Sequence, residues 1–116
     1  MKKITIEELE IKANDIRKDI IKMLLAAGSG HSAGPLGMAD IFTALYFAIM
    51  NHDPKNPSWG KRDRLFLSNG HIVPVRYVTL AHAGYFPKGK LSSFRKLGSP
   101  LQGHPERLRM PALETT

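Results

Sequence analysis

The chain has 116 residues, with 17 lysines and arginines against 10 aspartates and glutamates, a formal charge of +7 and no cysteine. That length suits one compact domain with a modest core, and the missing thiols exclude a disulfide framework and thiolate metal sites. A positive excess raises nucleic acid and anionic membranes as partners. Here Lys2, Lys3, Lys12, Arg17, Lys18 and Lys22 are interleaved with Glu7, Glu8, Glu10, Asp15 and Asp19, the pattern of a solvated helix face, so no nucleic acid is expected. The basic start runs straight into Glu7 and Glu8, unlike a secretory leader. The most apolar stretch, Met38 to Met50, carries Asp40 and Thr43 and is shorter than the roughly 20 residues of a membrane span. No membrane partner and a cytoplasmic location are the expectations.

Thr5 with Glu8 three residues on forms a capping box and predicts the start of a first helix. Leu9, Ala13, Ile16, Ile20, Met23, Leu24 and Ala27 give it one apolar stripe, and Gly28 supplies a left-handed stop. The run Gly28 to Gly37 holds four glycines and a proline, a loop that can bring backbone close to a ligand. Met38 to Met50 then reads as a second helix buried on most sides. Asp53-Pro54 and Asn56-Pro57 predict an extended connection to Trp59.

Arg64 to Leu67 is a short apolar run that predicts a buried strand of a parallel sheet, with Ser68-Asn69-Gly70-His71 as the turn leaving it. Ile72 to Ala83 predicts a third helix with Pro74 in its first turn and Gly84 at its end. Arg76 is a charge in this otherwise apolar helix, expected to face solvent or a partner chain. Lys90 to Leu97 predicts a short fourth helix, and Ser99 to Thr116, with three prolines, predicts a loop approaching a site. Strand, glycine turn and helix form the unit that places ligands at the carboxyl edge of an α/β sheet, with a helix N-terminus suited to phosphate. The basic excess of Lys88, Lys90, Arg95, Lys96, Arg107 and Arg109 over Glu106 suits a phosphorylated small molecule.

His31, His71 and His104 each follow a glycine at a loop or helix boundary. An imidazole in that setting can transfer a proton or grip a hydroxyl or phosphate. A turn-filling role is the bland alternative for each one singly. They lack the close pairing of a helical metal site, and Ser29, Ser32, Ser68 and Ser99 lack the elbow of a nucleophilic serine. His52 and His82 are expected to be structural.

Read in order, Ser29-Gly30-His31, Gly34-Pro35-Leu36-Gly37-Met38, Asn56-Pro57-Ser58-Trp59 and Arg62-Asp63-Arg64-Leu65-Phe66-Leu67-Ser68-Asn69-Gly70-His71 resemble the opening of transketolases. Ala83-Gly84-Tyr85, Phe94 to Ser99, Leu101-Gln102-Gly103-His104-Pro105-Glu106 and Pro111 to Thr116 follow in that family's order. The motifs at Leu67 to His71 and at Gln102 to Glu106 resemble transketolase more than deoxyxylulose-phosphate synthase.

The resemblance implies an α/β fold: residues 1–116 as the N-terminal, helix-rich part of a thiamine diphosphate-binding domain, a parallel sheet flanked by helices, truncated at Thr116. It implies a transferase that moves a two-carbon glycolaldehyde unit from a ketose phosphate to an aldose phosphate. His31 resembles the family histidine near the reacting carbon, His71 the one beside the cofactor diphosphate, and His104 the one that grips the donor ketose. Ser29 matches a small residue near the substrate's phosphate-bearing end.

The family's Gly-Pro-Leu-Gly-Gln-Gly and Gly-Asp-Gly segments, and the glutamate that activates the cofactor, are not found before Thr116. Thiamine diphosphate with Mg2+ or Ca2+ is thus implied for the complete enzyme, with metal ligands from elsewhere, and the 116-residue chain alone is expected to be inactive. The partners implied are sugar phosphates and the remaining transketolase sequence or a C-terminal subunit, in a homo- or hetero-oligomer. An apolar patch around Ile41, Leu45 and Phe66 is expected to mediate that association. The alternative is a non-catalytic binding or assembly module.

Overall fold

The computed structural model describes residues 3–28, 30, 32–68 and 70–101, His71 by its backbone alone. Helix α1, Ile6–Ala27, starts at the expected capping box: the Glu8 N–H donates to Thr5 Oγ1 at 3.1 Å, and the Thr5 N–H to Glu8 Oε1 at 3.3 Å. It ends at Gly28, whose φ of 71° lets its N–H reach the Leu24 carbonyl at 2.9 Å. Ala13, Ile16, Ile20 and Met23 form the buried part of the stripe, while Leu9, Leu24 and Ala27 are half-buried.

The glycine-rich loop contains a short helix absent from the expectation, α2, Ala33–Gly37. Next comes α3, Ala39–Ala44, which passes into a π-helical turn, Leu45–Ile49, closed by the Met50 N–H on the Leu45 carbonyl at 2.7 Å. The residues beyond the turn draw backbone groups out of the α-helical ladder. The Asn51 N–H donates to Asp63 Oδ2 at 2.6 Å, and the Tyr46 carbonyl meets His52 Nε2. The expectation of burial on most sides is corrected here, because Ile41 and Ile49 are exposed and Ala39, Phe42, Thr43 and Tyr46 turn inward.

Helix α4, Val73–His82, is the element buried all round, with every residue from Val73 to Ala81 inaccessible. It packs against α1, α2, α3 and a 3-10 helix, Lys88–Ser93, which replaces the α-helix expected over 90–97. Thr43 and Thr79 satisfy their buried hydroxyls on the carbonyls four residues back, at 2.7 and 2.6 Å. Gly84, at φ 96°, ends the helix in a Schellman motif, with the Tyr85 N–H on the Leu80 carbonyl at 3.0 Å and the Gly84 N–H on that of Ala81 at 3.2 Å. Arg76 does not face solvent; it is 1% exposed, inside the core.

Two further expectations are corrected. The segment 53–62 is a chain of turns rather than extended: the N–H groups of Asn56, Trp59 and Arg62 return to the carbonyls of Asp53, Asn56 and Trp59. Asp53 and Asn56 occupy the first turn position and Pro54 and Pro57 the second, where proline's fixed φ favours a turn. Arg64 to Leu67 carries no ladder, and no strand occurs among the described residues. A strand needs a neighbour to accept its backbone bonds. Phe66 stays 57% exposed and Ile41 51%, with Leu45 half-buried. Among the described residues no helix is long and apolar enough to cross a membrane.

Candidate functional site

Ser29, His31 and His104 lie outside the described residues, and so does the side chain of His71. Gly30, Gly70 and Ile72, beside the first two glycine-histidine pairs, are described, whereas Gly103-His104 and the residues on both sides of it lie outside the described residues. Gly30 has a φ of 126°, and a Cβ there would fall 2.5 Å from Leu24 Cδ2 and 3.3 Å from Phe94 Cε2. Backbone conformation and space both demand glycine beside His31. A Cβ on Gly34 would fall 2.5 Å from Ile72 Cγ2, so the first turn of α2 sits directly on the residue after His71.

Towards His104, the Arg95 N–H donates to the Leu101 carbonyl at 2.8 Å, and the Leu101 N–H to Ser99 Oγ at 3.1 Å. Ser99 and Ser93 share a hydroxyl contact of 2.7 Å, fastening this segment to the 3-10 helix. Phe94 is 1% exposed and meets Tyr77 of α4 edge to face, with 5.9 Å between ring centres. His71 occupies a 3-10 turn, Gly70–Ile72, that leads into the N-terminus of α4, whose N-cap residue Ile72 makes no side-chain capping bond. A helix start of that kind suits an anionic group.

The contact of Gly34 with Ile72 is testable. Gly34→Ala is expected to destabilise the chain by about 1–3 kcal/mol, because the opposing methyl is part of a stiff β-branched side chain. Ile72→Ala is expected to recover most of that loss in a double-mutant cycle of urea unfolding. Additive losses would show that the two segments do not touch.

His52 and His82 both make contacts within the chain. His52 Nε2 faces the Tyr46 carbonyl, which can only accept, so in the neutral ring Nδ1 accepts from the Tyr85 hydroxyl at 2.6 Å. Burial, with Tyr46 and Asp53 nearby, pushes the Tyr85 hydroxyl up to about 12.

His82 Nε2 lies 2.6 Å from Asp19 Oδ2, and its buried Nδ1 has no partner. An unpaired acceptor there costs less than an unpaired N–H, so the neutral ring is favoured. Desolvation lowers the His82 pKa below 6.5, outweighing the Asp19 contact that raises it, and Lys88 and Lys12 add to the lowering. The unfolded chain therefore binds the extra proton more readily. Stability is full above the ordinary imidazole value of 6.5 and falls as the pH drops through it. Denaturant midpoints from about pH 7 to pH 5 are expected to decline in the wild type and to flatten in His82→Gln. Equal slopes would remove His82 from the account.

Among the described residues no group of three or more histidines and carboxylates could hold a metal ion. Sequence reasoning missed the Asp63 carboxylate that holds Asn51, the His52–Tyr85 pair and the burial of Arg76; only the polarity of Arg76 in an apolar helix gave a signal.

A helix-wrapped core carrying glycine turns on one side narrows the class, and comparison with known proteins resolves it. Residues 9–116 match the family model described as the thiamine diphosphate binding domain of transketolase, and the chain belongs to that family. It is 45% identical over 105 residues to a transketolase of Buchnera aphidicola, covering 90% of this chain and 16% of that protein. It is 39% identical over 109 residues to the 6-deoxy-6-sulfo-D-fructose transketolase subunit SqwG of a Clostridium species, covering 94% of this chain and 40% of the subunit. The crystal structure of transketolase from Campylobacter jejuni superposes with a TM-score of 0.86 at 39% identity, covering 95% of this chain and 17% of that one. Transketolase from Leishmania mexicana gives the same TM-score of 0.86 at 35% identity, covering 97% and 16%. The chain thus spans less than half the length of these relatives.

Proposed function

We propose that residues 1–116 form the N-terminal part of a transketolase's thiamine diphosphate-binding domain. Combined with the remaining transketolase sequence, in one chain or as a C-terminal subunit, they take part in transferring a glycolaldehyde unit between sugar phosphates. The observation that carries this reading is the family match over residues 9–116, with the contact of Gly34 on Ile72 joining the loop that carries His31 to the residue after His71. These two motifs, far apart in the chain, thus lie side by side. In this reading Arg64 to Leu67 becomes a strand once the remaining sequence supplies its neighbours in a parallel sheet flanked by helices, which is the α/β architecture.

The uncapped start of α4, with His71 in the turn before it, fits a diphosphate. When bound, thiamine diphosphate supplies the electron sink for cleavage of the ketose. His31 moves the proton of a substrate hydroxyl at the reacting carbon, and His104 binds the donor ketose. His71 holds the diphosphate, and Ser29 sits near the phosphate-bearing end of the sugar. The Mg2+ or Ca2+ ligands come from residues outside this chain.

The test is turnover of xylulose 5-phosphate with ribose 5-phosphate. The chain alone is expected to be inactive, and adding the remaining transketolase sequence is expected to give activity dependent on thiamine diphosphate. No activity from that combination, at full occupancy of the complex, would favour the binding-module reading.

A further inference from the structure

Arg17 stands on α1, and its guanidinium meets acceptors on three helices. Nη1 donates to Asn14 Oδ1 of α1 at 3.1 Å, Nε to the Leu36 carbonyl of α2 at 3.4 Å, and Nη2 to Asp40 Oδ2 of α3 at 2.6 Å. The Arg17 side chain is 31% exposed and that of Asp40 70%. An ion pair so open to water contributes little to stability by itself. What is particular to arginine is the rigid fork of donors, which lets one side chain hold several partners in fixed directions.

Helix α2 needs such a hold. Its 5 residues are too few to persist on their own backbone bonds, and Gly34 and Gly37 among them loosen it further. The Ser32 N-cap makes no side-chain bond. The ladder closes through the Leu36 N–H on the Ser32 carbonyl at 3.0 Å and the Met38 N–H on that of Gly34 at 3.1 Å. Contacts from outside therefore set where α2 sits. Pro35 is buried in the core, Gly34 rests on Ile72 Cγ2, and Arg17 takes the Leu36 carbonyl in the last turn, where a helix has carbonyls to spare. Ile72 in turn closes the 3-10 turn Gly70–Ile72 and is the N-cap of α4. One line of contacts thus runs from Arg17 through α2 to the start of α4.

We propose that Arg17 is a positioning residue for the diphosphate end of the site: by clamping α2 to α1 and α3 it keeps Gly34 against Ile72, and so holds the N-terminus of α4 in place. This rests on the reading of that helix start as the place of the thiamine diphosphate. Arg17 acts through α2 and not by contact with the cofactor.

The experiment has two readouts. In the chain alone, amide exchange of Leu36 and Met38 is expected to quicken about tenfold in Arg17→Gln and Arg17→Lys, with the amides of α4 unchanged. In the complex with the remaining transketolase sequence, calorimetric titration in Mg2+ is expected to show both variants binding thiamine diphosphate about tenfold more weakly. Their KM for xylulose 5-phosphate and their kcat at saturating cofactor are expected to stay within about twofold of wild type. Lysine keeps the charge beside Asp40, but a point charge cannot span three acceptors. Asp40→Asn leaves the Leu36 and Asn14 bonds in place and is expected to bind the cofactor within about twofold of wild type. Arg17→Lys behaving as wild type while Asp40→Asn is impaired would reduce Arg17 to a surface ion pair and overturn the proposal. Unchanged exchange at Leu36 and Met38 overturns it too, as does faster exchange throughout α4 with equal losses of kcat and cofactor affinity, the mark of general destabilisation. A wild-type complex that binds no thiamine diphosphate overturns the functional reading, and the role of Arg17 with it. A wild type that binds the cofactor, with Arg17→Gln binding it equally well, overturns the role of Arg17 alone.

Discussion

In the enzyme formed by this chain and the remaining transketolase sequence, His31→Ala is expected to lower kcat/KM for xylulose 5-phosphate by on the order of 10²–10⁴. The argument is chemical. Cleaving a ketose next to its carbonyl requires removal of a hydroxyl proton as the carbon–carbon bond breaks, and an imidazole near neutrality suits that task. His104→Ala is expected to act differently, raising KM for the donor ketose with a smaller change in kcat, because it removes a binding contact held in ground state and transition state alike. His71→Ala is expected to weaken cofactor affinity, so that excess thiamine diphosphate restores most of its activity. These distinct kinetic signatures separate three roles that one pooled activity loss would blur. Wild-type kinetics in His31→Ala would remove it from the reaction, and identical losses in all three would point to a shared structural effect.

Local rules were legible where local chemistry decides the outcome. The Thr5–Glu8 capping box, the stop at Gly28 and the end of α4 at Gly84 depend on a few neighbouring residues, and the structure has all three. Where tertiary contacts decide, legibility failed. The π-helical turn runs into a segment that Asp63 holds from twelve residues away through the Asn51 N–H, with His52 reaching back to the Tyr46 carbonyl. Of the two apolar helices, the one carrying a full charge holds the centre of the core: Arg76 is buried in α4, whereas Asp40, Ile41 and Ile49 face outward on α3 and the turn after it. Apolar content predicts a strand at 64–67 but cannot supply the neighbour that a ladder needs. At the candidate site, the glycine run predicts a close approach to a ligand, and the groups described against it are side chains of the chain itself. Leu24 and Phe94 approach Gly30, and Ile72 approaches Gly34. The family followed from ordered motifs, which survive whatever the core does.

Phe94→Ala is expected to destabilise the chain by about 3–5 kcal/mol, the range for deleting a fully buried aromatic ring. Its ring is 1% exposed, lies edge to face with Tyr77 and closes over the backbone of Gly30. Removing it opens a cavity bordered by α4, the loop after α1 and the 3-10 helix, and none of these can collapse readily. Leu101 and Ser99 pin one side through the bonds at Arg95 and Ser93, and Gly30 is held at a φ of 126°. Against a typical total of about 5–15 kcal/mol, such a loss leaves a marginal fold. Urea unfolding followed by tyrosine fluorescence and circular dichroism gives the value directly. Phe94→Leu keeps most of the volume and is expected to cost less than about 1.5 kcal/mol. In the assembled enzyme the conservative variant separates packing from placement of the glycine-histidine segments. If Phe94 merely fills space, Phe94→Leu keeps full kcat. If the flat ring against Gly30 sets the position of the neighbouring His31, kcat falls while the unfolding midpoint barely moves. A loss below about 1 kcal/mol in Phe94→Ala would contradict the burial on which both outcomes rest.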